Sequence, residues 1–300
     1  MSSLIIDIAS AAVAMGNSID SPLKIGAHCW NTNGVADAEF LSLAVELSTK
    51  SKKLRGVDVI FTTDKTIMKT FFTRHGQNPA LVTASDPYFG MAGNVKVAGD
   101  YFADQAKYYR DELNQLDSVL IGSHHQTFQT DRGPVFVVDT VPQDGTMAKL
   151  VVMNLQPDEL PFSLLSVSAW LASAVANGSL QAAPIQDVSI PMLEFDASPD
   201  LSFLQDAWTK DSIGVHCVIT EAYAHYHFRH DQFGFEGEAF TYIGGTRGGL
   251  SFKPTSIHLI RPPFLAFMLQ EVDGEIIDIP IISFIAENDI CRRPKPKNQK

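Results

Sequence analysis

The sequence has few cysteines, few basic residues and no long apolar run, and each shortage argues against a class of protein. Three cysteines among 300 residues are too sparse, and odd in number, for a disulfide framework, so we expect an intracellular, cytoplasmic protein. Acidic residues outnumber Lys and Arg by 34 to 23, which gives a net charge of −11. This charge argues against binding to nucleic acid or to an anionic membrane surface. No stretch is long and apolar enough for a transmembrane helix.

The hydrophobic content of 45% is that of a folded globular chain. A chain of 300 residues can form one large domain or two smaller ones. We predict one domain over residues 1–290 and a basic tail over residues 291–300, which is either a solvated terminus or an anion-binding patch. Residues 3–16 are apolar, but Asp7 interrupts them and no Lys or Arg precedes them. We therefore predict a helix there rather than a signal peptide.

Sequence motifs of common enzymes are also missing. The glycine-rich residues 244–249 lack the Lys-Ser/Thr pair of a phosphate-binding loop, and a flexible exposed loop is the preferred interpretation. There is no G-x-S-x-G motif, and the adjacency of His28 and Cys29 does not make a catalytic dyad. We predict that the protein is not an enzyme and uses no cofactor.

Three histidines form the pattern H-x-H-x-x-H at His225, His227 and His230. On a strand the first two share a face, as two zinc ligands would. The sequence shows no third ligand at a compatible spacing and no well-placed carboxylate. We favour histidines whose ring nitrogens are satisfied by hydrogen bonds, and we predict no metal.

Apolar periodicity and capping residues predict alternating helices and strands. Ser21 and Pro22, for example, suit the first two positions of a helix. The predicted helices cover residues 3–16, 22–31, 36–54, 100–116 and 162–175. The predicted strands cover residues 57–62, 80–97, 188–195, 222–235 and 276–285, and residues 67–72 are ambiguous between the two.

The most informative stretch runs from Arg229 to Leu269. It begins as a strand, passes Glu236 and Gly237, enters a glycine-containing loop and returns to apolar sequence at Phe264. A long loop between two strong strands is unusual in a compact domain and is more often functional than not.

Several segments, in this order, resemble the serpin family of protease inhibitors. They are Asn17 to Ile25 with its Ser-Pro-Leu, the strand Ile190-Pro191 to Phe195, the Glu-Gly hinge, and the closing Pro263-Phe264-Leu265. The resemblance implies an α+β fold, with several helices packed on mixed and antiparallel sheets and an exposed reactive loop. It also implies serine-type endopeptidase inhibition, with a serine or cysteine protease as partner, and it raises extracellular location as an alternative.

The resemblance also implies roles for particular residues. The reactive-loop hinge corresponds to Glu236, Gly237, Glu238, Ala239 and Phe240. The cleaved bond falls about fourteen residues beyond the hinge glycine, and the candidate residues around it are Arg247, Leu250, Ser251, Phe252 and Lys253. A buried polar network beneath the loop-insertion site corresponds to Ser21, Lys24 and His227.

Two departures from the family predict weak or lost inhibition. After Leu120 the chain is short by on the order of 80 residues, and we expect the central strand beside the insertion site to be missing. Glu238, Phe240 and Tyr242 are charged or bulky, so we expect them to oppose insertion of the loop into a packed sheet. The alternative is a non-inhibitory binding or structural protein, and an open sheet edge would permit homo-oligomers.

Overall fold

The structure is a computed structural model, and it describes residues 4–32, 34–84, 87–111, 116–155, 164–183, 187–245, 263–286 and 290–291. The helices and strands follow one another along the chain in this order. They are β1 Leu4–Ile6, α1 Ala9–Asp20, α2 Val35–Leu47, β2 Val57–Thr62, α3 Lys65–Arg74, β3 Phe89–Asp100, β4 Ala106–Asp111, β5 Leu116–Ile121, β6 His125–Thr130, β7 Gly133–Asp139, β8 Thr146–Asn154, α4 Leu164–Ala176, β9 Gln181–Ala182, β10 Val188–Pro191, β11 Leu193–Ala197, β12 Trp208–Lys210, β13 His216–Val218, β14 Glu221–Asp231, β15 Gly234–Gly245, β16 Phe264–Val272 and β17 Glu275–Ala286. Short 3-10 helices lie at Lys50–Lys53, Pro79–Leu81 and Ser202–Leu204.

A seven-stranded antiparallel sheet has the order β1-β17-β16-β8-β7-β6-β9. The buried side chains Leu171 and Ala172 of α4 pack on one face of it, together with Leu265 and Phe267. The main core lies against its other face, so the central strands β16 and β17 are buried on both sides. Burial on both sides explains why these strands are continuous apolar runs rather than alternating ones.

The second large sheet has five strands in the order β11-β14-β15-β3-β2. Helix α1 packs on one face, where Ser10 meets Thr241 of β15. Helix α3 packs on the other, where Phe72 meets Phe240 of the same strand. We call these the back face and the front face. Two smaller sheets in the described residues are β10-β5-β4 and β12-β13.

Helix α1 is rich in alanine, and its alanines are fully buried. Small side chains let the helix lie very close to β3. A Cβ atom added at Gly93 of β3 would stand 2.2 Å from the carbonyl oxygen of Ser10, so only glycine fits at that position.

Helix α3 resolves the ambiguous residues 67–72. Asp64 caps its first turn, accepting the Thr66 N–H at 2.7 Å. Met68, Phe71 and Phe72 are buried at helical spacing, and they form the face that covers the front of the sheet. No helix in the described part of the chain is long and apolar enough to span a membrane.

Two predicted helices are wrong. Helix α1 ends at Asp20, and residues 21–28 form turns. Ser21 is extended and Lys24 takes a left-handed φ of 50°. The serine and proline that suit a helix start therefore follow a helix end. The helix predicted over residues 100–116 is replaced by β4 and the start of β5, because aromatic and β-branched residues pair across strands there.

Other boundaries shifted without changing type. The helix predicted from residue 3 is preceded by the short strand β1, and the one predicted to residue 54 ends at Leu47. Strands predicted over residues 57–62, 188–195, 222–235 and 276–285 are present within a few residues, although the second and third are each divided in two.

Candidate functional site

Strand β15 occupies the centre of the five-stranded sheet. All 12 of its residues pair with β3, and all 11 residues of β14 pair with it on the other side. Because β15 is antiparallel to both neighbours, β14 and β3 run parallel to each other. Strand β15 therefore fills the space between two parallel strands.

A two-residue turn connects β14 to β15. The Phe233 N–H donates to the Asp231 carboxylate at 2.9 Å. Gly234 follows with a φ of 154°, and a Cβ atom there would lie 2.1 Å from the carbonyl oxygen of Gly99. The turn needs this glycine both for its backbone angle and for the close approach of β3.

The predicted hinge residues Glu236 to Phe240 lie inside β15 as regular strand, with partners on both sides. Gly237 faces the back, where a Cβ atom would stand 2.3 Å from the terminal methyl carbon of Met268. The absence of a side chain at Gly237 thus lets the two large sheets approach. The candidate cleavage residues Arg247, Leu250, Ser251, Phe252 and Lys253 lie outside the described residues.

Glu238 faces the front, where its side chain meets Lys96 of β3 at 2.9 Å. The two side chains are 30% and 58% exposed, so the pair contributes less than about 1 kcal/mol. Glu238 was expected to oppose a place in the sheet because of the cost of burying a charge, but it stays partly exposed and paired, so that cost does not arise.

Phe240 and Tyr242 also face the front, beneath α3, and both are almost fully buried. The ring of Phe72 stands edge-on to each of them, at 5.0 Å and 5.1 Å between centroids. The Tyr242 hydroxyl donates to Glu221 at 2.6 Å. The prediction that these rings would oppose a place in the sheet is wrong, because α3 provides a fitted aromatic pocket.

On the back face β15 joins a buried polar network. The Asp7 carboxylate accepts N–H groups from Ser10 at 2.8 Å and from Ile282 at 2.9 Å. It also accepts the Ser10 hydroxyl, so the Thr241 hydroxyl donates to Ser10 across 2.7 Å. Burial raises the pKa of Asp7 above its ordinary value, although these donors lower it in part.

The sequence analysis did not predict this polar network. The one available signal was Asp7, a charged residue within the apolar residues 3–16. Of the predicted set, Ser21 and Lys24 share one turn, where the Lys24 N–H donates to the Ser21 hydroxyl at 3.2 Å, but His227 does not join them. Ser21 donates to the Ser18 carbonyl at the end of α1, and Lys24 is exposed. His227 lies on the front face, opposite α1, and bonds to Asp196 at 2.9 Å.

The predicted loss of the central strand is also wrong. β3 precedes Leu120 in the chain, stands beside β15 and pairs with it along its whole length. The edge of β15 that was expected to be open is therefore paired with β3. This edge gives no reason for self-association.

A cleft of about 590 Å³ opens beside the exposed half of β15. Its walls include side chains of both signs, among them Arg55, Lys96, Glu236 and Glu238. Such a lining suits a partner that itself carries both charges, rather than a purely apolar ligand.

His230, at the end of β14 nearest the turn, is fully buried on the back face. Its Nδ1 lies 3.0 Å from the Pro191 carbonyl oxygen and donates to it. Its Nε2 accepts the Tyr101 hydroxyl at 2.8 Å. A ring nitrogen that accepts carries no proton, so the Nε2 bond belongs to a neutral ring, and burial lowers the pKa of His230 to about 4.

We expect folding stability to fall as the pH drops from about 6.5 to about 4. Over this range His230 becomes protonated in the unfolded chain but not in the folded one. The free energy of unfolding therefore falls by at most about 3 kcal/mol. Urea unfolding at several pH values checks this. His230→Gln should flatten the pH dependence, while exposed His28→Ala should leave it unchanged. Equal slopes for the wild type and His230→Gln would contradict the assignment.

Comparison with known proteins identifies the fold. A loop C-sheet serpin polymer matches with a TM-score of 0.54 and 10% sequence identity, over 96% of this chain and 90% of that one. The cleaved form of a protein named Serpin 42Da matches with a TM-score of 0.53 and 10% identity, over 95% of this chain and 91% of that one. The same serpin in another crystal form gives 0.51 and 11% identity, over 99% and 92%. No protein-family model matches the sequence, and no curated protein does.

The chain is therefore a serpin-fold protein of the α+β class. The identities are far below the level at which function can be transferred from a neighbour, so function has to be argued from the site itself.

Proposed function

We propose that this serpin-fold protein has weak or no capacity to inhibit proteases and acts instead as a binding or structural protein. The observation that carries the proposal is the position of β15. The segment that resembles a reactive-loop hinge already pairs with both neighbours in the sheet.

An inhibitory serpin works by releasing stored strain. Its loop is cut, inserts as a new strand and carries the protease with it. A strand that already occupies the sheet leaves no such pairing to gain. The contacts of β15 support its staying in place, since Phe240 and Tyr242 fill the pocket under α3 and Thr241 joins the Asp7 network.

The chain does not have to be cut for β15 to lie in the sheet. Residues 246–263, which are 18 residues, connect β15 to β16. Fully extended, they reach about 60 Å, which exceeds the roughly 50 Å diameter expected for a compact domain of this size. The similar Serpin 42Da structure is that of a cleaved protein, whereas here the same kind of sheet is compatible with an unbroken chain.

Incubation with trypsin, chymotrypsin, elastase and a papain-type protease tests the proposal. We expect cleavage without a covalent complex, so a denaturing gel should show only fragments and free protease. A known inhibitory serpin, run beside it, shows that the assay detects complexes. A band of the combined mass that survives denaturation would contradict the proposal.

Self-association is a second element of the proposal. The open sheet edge that first suggested self-association is closed by β15. Support for self-association comes instead from a similar structure, which is that of a serpin polymer. Light scattering at increasing concentration checks it, with growth in mass expected and a constant monomer mass against it.

A further inference from the structure

The edge of β3 that faces away from β15 is covered by β2 over only half its length. β3 has 12 residues, and β2 pairs with residues 90–95. β2 begins at Val57, and Gly56 before it turns the chain away with a left-handed φ of 67°. A Cβ atom at Gly56 would lie 2.4 Å from the Lys96 carbonyl oxygen, so this turn needs glycine. Beyond Lys96, no strand of the described residues lies beside this edge.

Ala98 presents its backbone N–H and C=O groups to this gap. In an antiparallel ladder, alternate residues direct both groups to the same side. The Lys96 N–H points away from β15, since it donates to the Gly56 carbonyl oxygen at 3.0 Å. The Asp100 carbonyl oxygen also points away, since it accepts the Val141 N–H at 2.9 Å. Ala98 lies midway between them, is exposed, and has no hydrogen-bond partner on this side in the described part of the chain.

We propose that the cleft at Ala98 binds a short peptide of about three residues with free ends, paired to β3 as an added antiparallel strand. The inference rests on the proposed function, because it names a ligand class for a binding protein. An exposed strand edge recognises extended peptides through main-chain hydrogen bonds.

The length of the gap limits the length of the peptide. Gly56 and Val141 occupy its two ends, at Lys96 and Asp100. These two residues of β3 are about 13 Å apart along the strand. A longer added strand would therefore meet the protein's own chain in both directions.

The cleft has the room and the positive charge that such a ligand needs. Its volume is about 590 Å³, within the range of pockets that bind small ligands. Arg55 precedes Gly56 at one end of the gap and lines the cleft. It lies 3.8 Å from Asp273, and the two side chains are 62% and 77% exposed. So loose and exposed a pair leaves the guanidinium available to a ligand carboxylate.

The turn that follows Val141 supplies the negative charge. Asp144 is exposed and lines the same cleft. A peptide that runs antiparallel to β3 has its amino end near Val141 and its carboxyl end near Gly56. Its ammonium group would then meet Asp144, and its carboxylate would meet Arg55.

Calorimetric titration of the protein with trialanine tests the site, because this peptide offers only a backbone and two charged ends. We expect saturable binding of one peptide per chain. Trialanine with an acetylated amino end and an amidated carboxyl end should bind about 10-fold more weakly or worse, because both charges are lost. Arg55→Ala should weaken binding of the free peptide and leave that of the capped peptide unchanged. Lys52→Ala, which removes an exposed cation paired with Asp20, should bind the free peptide as the wild type does.

Two further variants test the backbone pairing and the second charge. Ala98→Pro removes the N–H that the ligand would accept and should weaken binding by about 5-fold or more. The ladder with β15 stays intact, because that N–H points away from it. Ala98→Ser is the matched control, since it keeps the N–H and should bind as the wild type does. Asp144→Asn should also weaken binding, and asparagine tolerates the left-handed φ of 48° at this position.

Circular dichroism confirms that each variant is folded. If Ala98→Pro is not, the comparison of Arg55→Ala and Asp144→Asn with Lys52→Ala decides. The inference is overturned if trialanine shows no saturable binding, if the capped peptide binds equally well, or if folded Ala98→Pro binds as Ala98→Ser does. Such a failure would not change the result of the protease-complex assay, so this inference and the proposed function can fail separately.

Discussion

Replacing Phe240 by alanine is expected to lower the free energy of unfolding by about 3–5 kcal/mol. The ring is fully buried between β15 and α3, with Phe72 at 5.0 Å and Phe71 at 5.8 Å between centroids. Its removal leaves a cavity that the sheet and helix cannot close without moving apart. Urea or thermal unfolding measures the change.

The matched control is Phe233→Ala, on the turn just before β15. That ring is 70% exposed, and its loss should change stability by no more than about 0.5 kcal/mol. If β15 were instead an exposed loop, Phe240 would be solvated and both substitutions would have the same small effect. Equal stabilities of the two variants would therefore refute the position of β15.

Replacing Gly93 by alanine is expected to cost about 3 kcal/mol, at the upper end of the usual range for overpacking. The added carbon would lie 2.2 Å from the Ser10 carbonyl oxygen and 3.2 Å from the Ala14 amide nitrogen. Both are backbone atoms of α1, so the helix itself has to move. That movement would also disturb the hydrogen bond between Ser10 and Thr241.

Gly122→Ala provides the comparison, because its added carbon would meet nothing closer than 3.7 Å. Unfolding of this variant should match the wild type to within about 0.5 kcal/mol. If Gly93→Ala were equally harmless, α1 would not lie against β3 as the structure places it.

The serpin resemblance could be found from sequence because its segments are local patterns in a fixed order. The strand-like sequence around Pro191 and Phe195, which the structure divides between β10 and β11, and the apolar return at Phe264 are readable without knowing what they contact. The fold that they implied is confirmed, and the long apolar strand at residues 275–286 lies where it was expected.

Errors arose where local signals were ambiguous. Ser21 and Pro22 suit a helix start, but they follow α1 because the preceding alanine-rich residues pack against β3. Residues 100–116 have apolar side chains at a helical spacing, yet Ala106–Asp111 and Leu116–Ile121 pair as two strands. In both places tertiary packing decided between two structures that the local sequence permits.

The site itself depended on contacts between distant segments. The pocket for Phe240 and Tyr242 is made by α3, about 170 residues earlier in the chain. Asp196 reaches His227 only because β11 pairs with β14. Neither partnership leaves a mark in the local sequence, so the burial of the rings and the carboxylate beside His227 could not be predicted.

The central claim is that β15 is already a strand of the five-stranded sheet before the chain is cut. The most direct test compares the melting temperatures of the intact protein and of protein cut within residues 247–253, with an introduced protease site if trypsin leaves Arg247 and Lys253 uncut. Fragments that stay associated and melt within about 2 °C of the intact protein, equivalent to less than about 1 kcal/mol, are the predicted result. A cut form that melts far higher would mean that the loop inserts only after cleavage, and would contradict the account.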